Sequence, residues 1–264
     1  MQVYIKVNSR NYIMWVIVDM GYYTFYRYHA CKKWWSFKKD KEQKDPYQNE
    51  EEFKTKLLDK FKHYLEVLRK KVPENSQFIL AFDAADGKNW RKEFYPEYKS
   101  QRPQNKDVFI LMNDVFNTFI PKYKSEYPGI QIMKEEGKEA DDLVARKVRQ
   151  IQRNSEDEIH IIASDHDYLQ LIEPRNSVHL RDMNFKDLSD NKSITGKNYL
   201  IQKIIYGDKS DNIQPMFKGR NSGNKKKELY ERMIQNDLSE IRVSSFENKE
   251  DYEKFKFNKR LVEL

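Results

Sequence analysis

Residues 13–19 read Ile-Met-Trp-Val-Ile-Val-Asp, a short apolar run rich in β-branched side chains that an acid closes. Such a run lacks polar alternation, so both its faces need cover, as in a strand at the middle of a parallel sheet. It is too short for the apolar region of a signal peptide with its cleavage site, and Asp19 ends it. Runs of the same kind recur at 78–82, 130–133 and 159–163. Between them lie helical spacings: Leu57, Leu58, Phe61, Tyr64, Leu65 and Leu68, then Val108, Met112, Val115, Phe116 and Phe119. Strand alternating with helix predicts an α/β fold, a parallel sheet covered by helices.

The 264 residues carry 49 Lys plus Arg against 42 Asp plus Glu, a formal charge of +7, and 14% of them are aromatic. That length supports one large domain or two small ones, with enough apolar side chain to exclude disorder throughout. The basic balance suits a polyanionic partner, although charge alone is weak evidence for nucleic acid. No run of about 18 apolar residues exists, so no membrane span is expected. Cys31 is the only cysteine, which excludes an internal disulfide, a Cys-based zinc cluster and a CxxC pair. A reducing, cytoplasmic setting is expected.

Acids stand where the strands end. Asp19 closes WVIVD, Asp83 closes FILAFD, and Asp165 and Asp167 follow in IIASDHD. Glu139, Asp141 and Asp142 stand at a predicted helix start in GKEADDLVA, and Asp208 and Asp211 sit three apart in YGDKSDN. One such acid is an ordinary helix cap or Asx turn. A parallel sheet brings the acids of the four strand ends, though not by itself the Asp208/Asp211 pair, to one edge, where mutual repulsion calls for a compensating cation. Oxygen ligands without Cys or His select hard ions such as Mg²⁺ or Mn²⁺, and His166 reads as an outward spacer. Two such ions about 4 Å apart can activate water and hold both oxygens of a phosphodiester displacement.

Three connecting stretches stand out: a charged one at 38–52, a basic one with two prolines at 95–106, and one rich in Gly, Asn and Lys at 219–227. There is no internal repeat, and 237–264 reads as charged helix, a pattern that says nothing about chemistry.

Taken in order, IVDMGYYTF (17–25), AFDAADGKNWRKEFYPEYKSQR (81–102), EEGKEADDLVA (135–145), IIASDHDYLQLI (161–172) and IYGDKSDNI (205–213) resemble the successive motifs of the 5′ nuclease family. Those are the flap endonucleases and 5′ to 3′ exonucleases, and the spelling is closest to the phage and viral type. The specificity lies in the ordered set. The resemblance implies a Rossmann-like, PIN-like nuclease core with two divalent ions. On matching positions the first ion falls to Asp19, Asp83, Glu139 and Asp141 and the second to Asp165, Asp167 and Asp208, with Asp142 and Asp211 as further acids acting through water. Lys99 and Arg102 fall in the family's basic segment, where they reach the scissile phosphate and oppose transition-state charge. Arg91 and Lys92 are further basic candidates for the nucleic acid. Phe25 matches an aromatic that stacks on a base near the cut.

The resemblance further implies a nuclease core over 1–195, with a helical arch at about 99–134 in which Lys106, Lys122 and Lys124 line a strand. A helical duplex-binding part, like a helix-hairpin-helix, follows over 196–264. The aromatic spacing of 107–127 is more often that of a core-facing helix than of a DNA clamp. The hairpin departs from the family pattern: after GDKSDNI the chain reads QPMFKGRNSGNKKKELYERM, without the usual Gly-hydrophobic-Gly spacing. Lys218, Arg220, Lys225, Lys226 and Lys227 could contact phosphate there by charge alone, and a monovalent cation is allowed for. The alternative is a disordered lysine loop.

The expected protein is a monomeric, metal-dependent, structure-selective nuclease. It would act on 5′ flaps, 5′ ends or the RNA of RNA–DNA hybrids during replication or repair, with no membrane partner. A PIN-type ribonuclease is the enzymatic alternative, which the PEYKSQR segment and the Asp208/Asp211 motif disfavour. A branched-DNA-binding protein without turnover is the alternative from another class; binding in EDTA with no cleavage in Mg²⁺ would reveal it.

Overall fold

The structure, a computed structural model, describes residues 13–39, 45–84, 89–103, 105–174, 177–190 and 192–264. Residues 40–44 of the charged connection and 85–88 of the second motif lie outside the described residues.

In chain order the strands are β1 (Met14–Asp19), β2 (Gln77–Ala81), β3 (Gln131–Met133), β4 (Glu158–Ile162) and β5 (Val178–Arg181). The helices are α1 (Met20–Lys39), α2 (Pro46–Asn49), α3 (Glu51–Arg69), α4 (Trp90–Phe94), α5 (Lys106–Asp114), α6 (Ile120–Glu126), α7 (Ala140–Asn154), α8 (Gly196–Tyr206), α9 (Ser222–Ile234) and α10 (Lys249–Val262). A wide-turn stretch, Val115–Phe119, joins α5 to α6, and a 3-10 turn, His166–Leu171, follows β4.

The five strands form one sheet in the order β3-β2-β1-β4-β5, all parallel, with β1 at its centre. The expected α/β class is what is observed. Side chains alternate across a strand, so Val16 and Val18 enter one apolar layer, with α1, α3 and the α5–α6 run, while Ile17 enters the other beneath α7. Cover on both faces explains why these strands read as continuous apolar runs. The chain runs from β1 toward β3 on one side and from β4 to β5 on the other. The order therefore reverses between β1 and β4, which opens a crevice at their carboxyl ends.

The stretch expected as an arch is helical from Lys106 to Glu126, and one face of it is core. Val108, Leu111, Val115, Ile120 and Tyr123 are buried, and the buried Asp107 carboxylate accepts from Tyr28 Oη, the Tyr47 amide and Gln48 Nε2. Lys122 and Lys124 are on its exposed face.

The lysine-rich stretch is helix from Ser222, not the disordered loop weighed as its alternative, because Leu229 and Met233, one turn apart, anchor it in a third apolar cluster with α8 and α10. That cluster also takes in Tyr98, with Phe94 and Tyr95 beside it.

Candidate metal centre

Asp19 ends β1 at the crevice, its Oδ1 accepting from the Tyr22 amide (3.0 Å) and its Oδ2 from Tyr168 Oη (2.8 Å). Asp83, two residues past β2, accepts from the Ala140 amide at the start of α7 (2.8 Å). The two carboxylates converge over Gly21: a methyl group there would lie 3.2 Å from Asp19 Oδ1 and 3.3 Å from Asp83 Oδ2. Burial, with the Asp83 charge second, pushes Asp19 up to about 6. Burial likewise raises Asp83, and Asp141, with Glu139 adding to it, is raised well above the usual carboxylate range. These acids therefore resist ionisation without a cation.

Glu139 caps α7 in a capping box with Asp142, whose carboxylate accepts from the Glu139 amide. Glu139 Oε1 meets Lys99 Nζ at 2.5 Å, and its Oε2 accepts from Tyr98 Oη at 3.0 Å and Arg91 at 3.2 Å. Burial would raise Glu139, but the Lys99 and Arg91 charges hold it below its ordinary value. Lys99 is driven up in turn: burial opposes its charge, but Glu139, Asp211 and Asp141 outweigh it. Its backbone is left-handed, at φ 54°, and its amide donates to the Asp211 carbonyl (3.1 Å). A strained non-glycine conformation at such a place is held by its surroundings.

Asp165 and Asp167 follow β4, and the Asp167 amide donates to Asp165 Oδ1 (2.9 Å). Asp208 and Asp211 follow α8, where Gly207, at φ 73°, turns the chain. Carboxylate oxygens of Asp167, Asp208 and Asp211 lie within 4.8 Å of one another, the only such group among the described residues. Arg102 reaches Asp211 Oδ1 at 2.6 Å, and Tyr98 Oη donates to Asp211 Oδ2 at 3.0 Å, so Tyr98 bridges the two halves of the centre. Lys203 of α8 donates to both Asp167 and Asp208. Asp208 is held down to about 2: burial opposes this, but Lys203 prevails. Burial outweighs Lys203 at Asp167, which stands at about 6.

The sequence-expected acids Asp19, Asp83, Glu139, Asp141, Asp165, Asp167, Asp208 and Asp211 thus gather at one sheet edge. Two expectations change. Arg91 is 1% exposed, its guanidinium on Asp142, Glu139 and the Leu261 and Glu263 carbonyls, so it has no face for a phosphate. Both Asp142 oxygens are committed to Arg91, and Trp90 Nε1 adds a 2.9 Å bond, so this acid is an anchor for α7. Phe25 is 52% exposed on α1, with the His29 ring 4.2 Å away. Lys92, Lys218, Arg220 and Lys225 are exposed, Lys226 lies 5.7 Å from the Tyr206 ring, and Lys227 pairs with Glu231. Sequence reasoning missed Lys203, Tyr98 and Tyr168. The signal for Lys203 was a lone cation inside the apolar helix YLIQKIIY.

The donors are all carboxylate oxygens, gathered from separated segments and partly neutralised by two lysines, a set that fits hard divalent ions. Fold and site together define an α/β protein with a cluster of carboxylates at its sheet switch point. The family profile described as "5'-3' exonuclease, N-terminal resolvase-like domain" matches residues 14–204. The chain belongs to that 5′-3′ exonuclease family. It is 29% identical over 161 residues to a 5′-3′ exonuclease of Mycoplasmopsis pulmonis, across 58% of this chain and 50% of that protein. It is 28% identical over 157 residues to DNA polymerase I of Mycobacterium bovis, across 56% of this chain and 16% of the polymerase. The chain thus spans half or less of these relatives' length. A bacteriophage T5 flap endonuclease solved with DNA and metal ions shares the fold at TM-score 0.59 and 18% identity, over 94% of this chain and 88% of that one. T5 5′-exonuclease with zinc bound superposes at TM-score 0.58 and 18% identity, over 95% of this chain and 89% of the other. Among the described residues no helix is long and apolar enough to cross a membrane.

Proposed function

We propose that this protein hydrolyses phosphodiesters in branched or 5′-ended DNA, and in the RNA of RNA–DNA hybrids, as a structure-selective 5′ nuclease working as a monomer. The observation that carries the reading is the convergence of Asp167, Asp208 and Asp211 beside the Asp19, Asp83, Glu139 and Asp141 group. Family membership and the DNA and metal in the T5 flap endonuclease support it.

Asp19, Asp83, Glu139 and Asp141 would hold one divalent ion, Mg²⁺ or Mn²⁺, and Asp165, Asp167, Asp208 and Asp211 a second. Bound there, such ions supply an activated water and neutralise the leaving oxygen. Lys99 and Arg102, on the rim beside Glu139 and Asp211, place positive charge where a phosphate enters and where charge builds up at the transition state. Tyr98 and Tyr168 fix the carboxylates by donating to Glu139, Asp211 and Asp19. Exposed Phe25, six residues past Asp19, offers a ring for stacking on a base without reading its identity.

The test is cleavage of a 5′-labelled flap duplex and a matched RNA-primed duplex, in Mg²⁺ and in EDTA, by wild type and Asp165→Asn. Cleavage near the junction that needs both Mg²⁺ and Asp165 is expected, with the variant still binding the duplex, since it loses a ligand and some repulsion together. Tight binding with no cleavage of either substrate would mean a catalytically silent DNA-binding protein.

A further inference from the structure

We propose that residues 261–264, acting through Arg91, are a positioning element of the metal centre that sets the entry of α7, where Glu139 and Asp141 stand. The inference rests on the reading of those acids as cation ligands.

Arg91 uses its whole fork. Nη1 donates to Asp142 Oδ2 (3.0 Å) and Glu139 Oε2 (3.2 Å), and Nη2 to Asp142 Oδ1 (2.8 Å). The remaining donors turn the other way, Nε to the Leu261 carbonyl (2.8 Å) and Nη2 to the Glu263 carbonyl (3.4 Å). A guanidinium has five N–H donors in a rigid plane, and here each has an acceptor. One side of the fork sets the carboxylates at the α7 entry and the other is fixed by backbone at the end of α10.

The same segment is held from two more directions. Gln170, in the turn that Asp165 caps and that carries Asp167, donates to the Val262 carbonyl (3.1 Å) and accepts from the Leu264 amide (3.0 Å). Arg149 of α7 donates to the Leu264 carbonyl. Leu264 itself is buried in the apolar layer beneath α7. Residues 261–264 therefore clasp α7 and the 166–171 turn, the supports of both halves of the acid cluster.

A carboxylate whose orientation is fixed before the cation arrives binds it more tightly, and loss of such an outer partner typically costs about 10–100-fold in metal affinity. Lysine cannot replace Arg91, because a point charge cannot span two carboxylates and two carbonyls.

Arg91→Lys and Gln170→Ala test this against wild type, with three readouts: Mn²⁺ binding by calorimetry without DNA, flap-duplex binding in EDTA, and thermal unfolding. The expected result for Arg91→Lys is a folded protein with wild-type duplex affinity in EDTA and Mn²⁺ affinity down about tenfold or more. Gln170→Ala, which touches no acid, should shift Mn²⁺ affinity in the same direction by less. Unchanged Mn²⁺ affinity in folded Arg91→Lys would overturn the proposal, as would weakened duplex binding with metal affinity intact, which would make Arg91 a phosphate contact. If Arg91→Lys does not fold, Gln170→Ala decides: a shifted Mn²⁺ affinity supports the clasp and an unchanged one overturns it. Should wild type bind Mn²⁺ yet cut nothing, the proposed reaction fails while calorimetry still reads the clasp.

Discussion

Lys203 Nζ lies against the Asp208 carboxylate, inside the group of acids at the end of α8, and the same ammonium also reaches Asp167. Only 9% of Lys203 is exposed. Burial would lower its pKa, but Asp167 and Asp208 outweigh that and raise it. The side chain therefore stays charged and neutralises acids that would otherwise repel one another.

Removing that ammonium should expose the repulsion. In EDTA, Lys203→Ala should lose about 3 kcal/mol of stability, the usual cost of leaving a buried charge without its partner. Saturating Mg²⁺ should return most of the loss, because a cation that binds only the folded state stabilises it by mass action. Thermal unfolding of both proteins in EDTA and in Mg²⁺ checks this; a loss indifferent to Mg²⁺ would make Lys203 a packing residue.

The stabilisation given by Mg²⁺ should grow with pH. Asp19 and Asp167 both stand at about 6, above the ordinary carboxylate value near 4. Between those values the folded protein holds more protons than the unfolded chain, so this cluster's contribution to stability falls as pH rises through 6. A bound cation displaces those protons and removes the penalty. The gap in melting temperature between Mg²⁺ and EDTA should therefore be small near pH 4.5 and widen up to pH 7. Taking the difference cancels groups outside the centre, such as His160, whose pKa burial lowers to about 4. A gap that narrows with rising pH would refute the assignment.

The acids were legible because strand ends and motif order both announce them, and the apolar runs at 13–18, 78–82, 130–133 and 159–163 became β1 to β4. What escaped depends on three-dimensional neighbours. VHLR of β5 alternates at a sheet edge and looks like loop. The start of α9 is Gly, Asn and Lys, and only Leu229 and Met233 betray its apolar side. Arg91 reads as a solvated basic residue beside Lys92, and nothing local says that its acceptors lie at 139, 142, 261 and 263.

Gly207 should tolerate no side chain. Its φ is 73°, and a Cβ there would strike the Ile213 carbonyl and the backbone of Gln214 and Pro215. That turn delivers Asp208, whose amide and carbonyl both pair with Ile213. Gly207→Ala should destabilise by about 1–3 kcal/mol, and weaken Mn²⁺ binding as Asp208 shifts. Chemical denaturation and calorimetry on the same preparation read both effects, and an alanine variant of wild-type stability would show that the turn can relax.

Lys99 is where binding and turnover should part. Its ammonium is held on Glu139, and the charges around it keep it protonated. If it acts on the developing charge of the transition state, Lys99→Ala should cut kcat about 100-fold while changing flap-duplex affinity by no more than about threefold. Loss of the ammonium also leaves Glu139 with Arg91 and Tyr98 as partners, so the fold should hold. Lys99→Arg should restore only part of the rate, because a planar fork cannot occupy the place of a compact ammonium beside one carboxylate oxygen. Single-turnover rates and duplex affinity in Ca²⁺ separate the two quantities. An unchanged rate with weaker binding would reduce Lys99 to a phosphate contact.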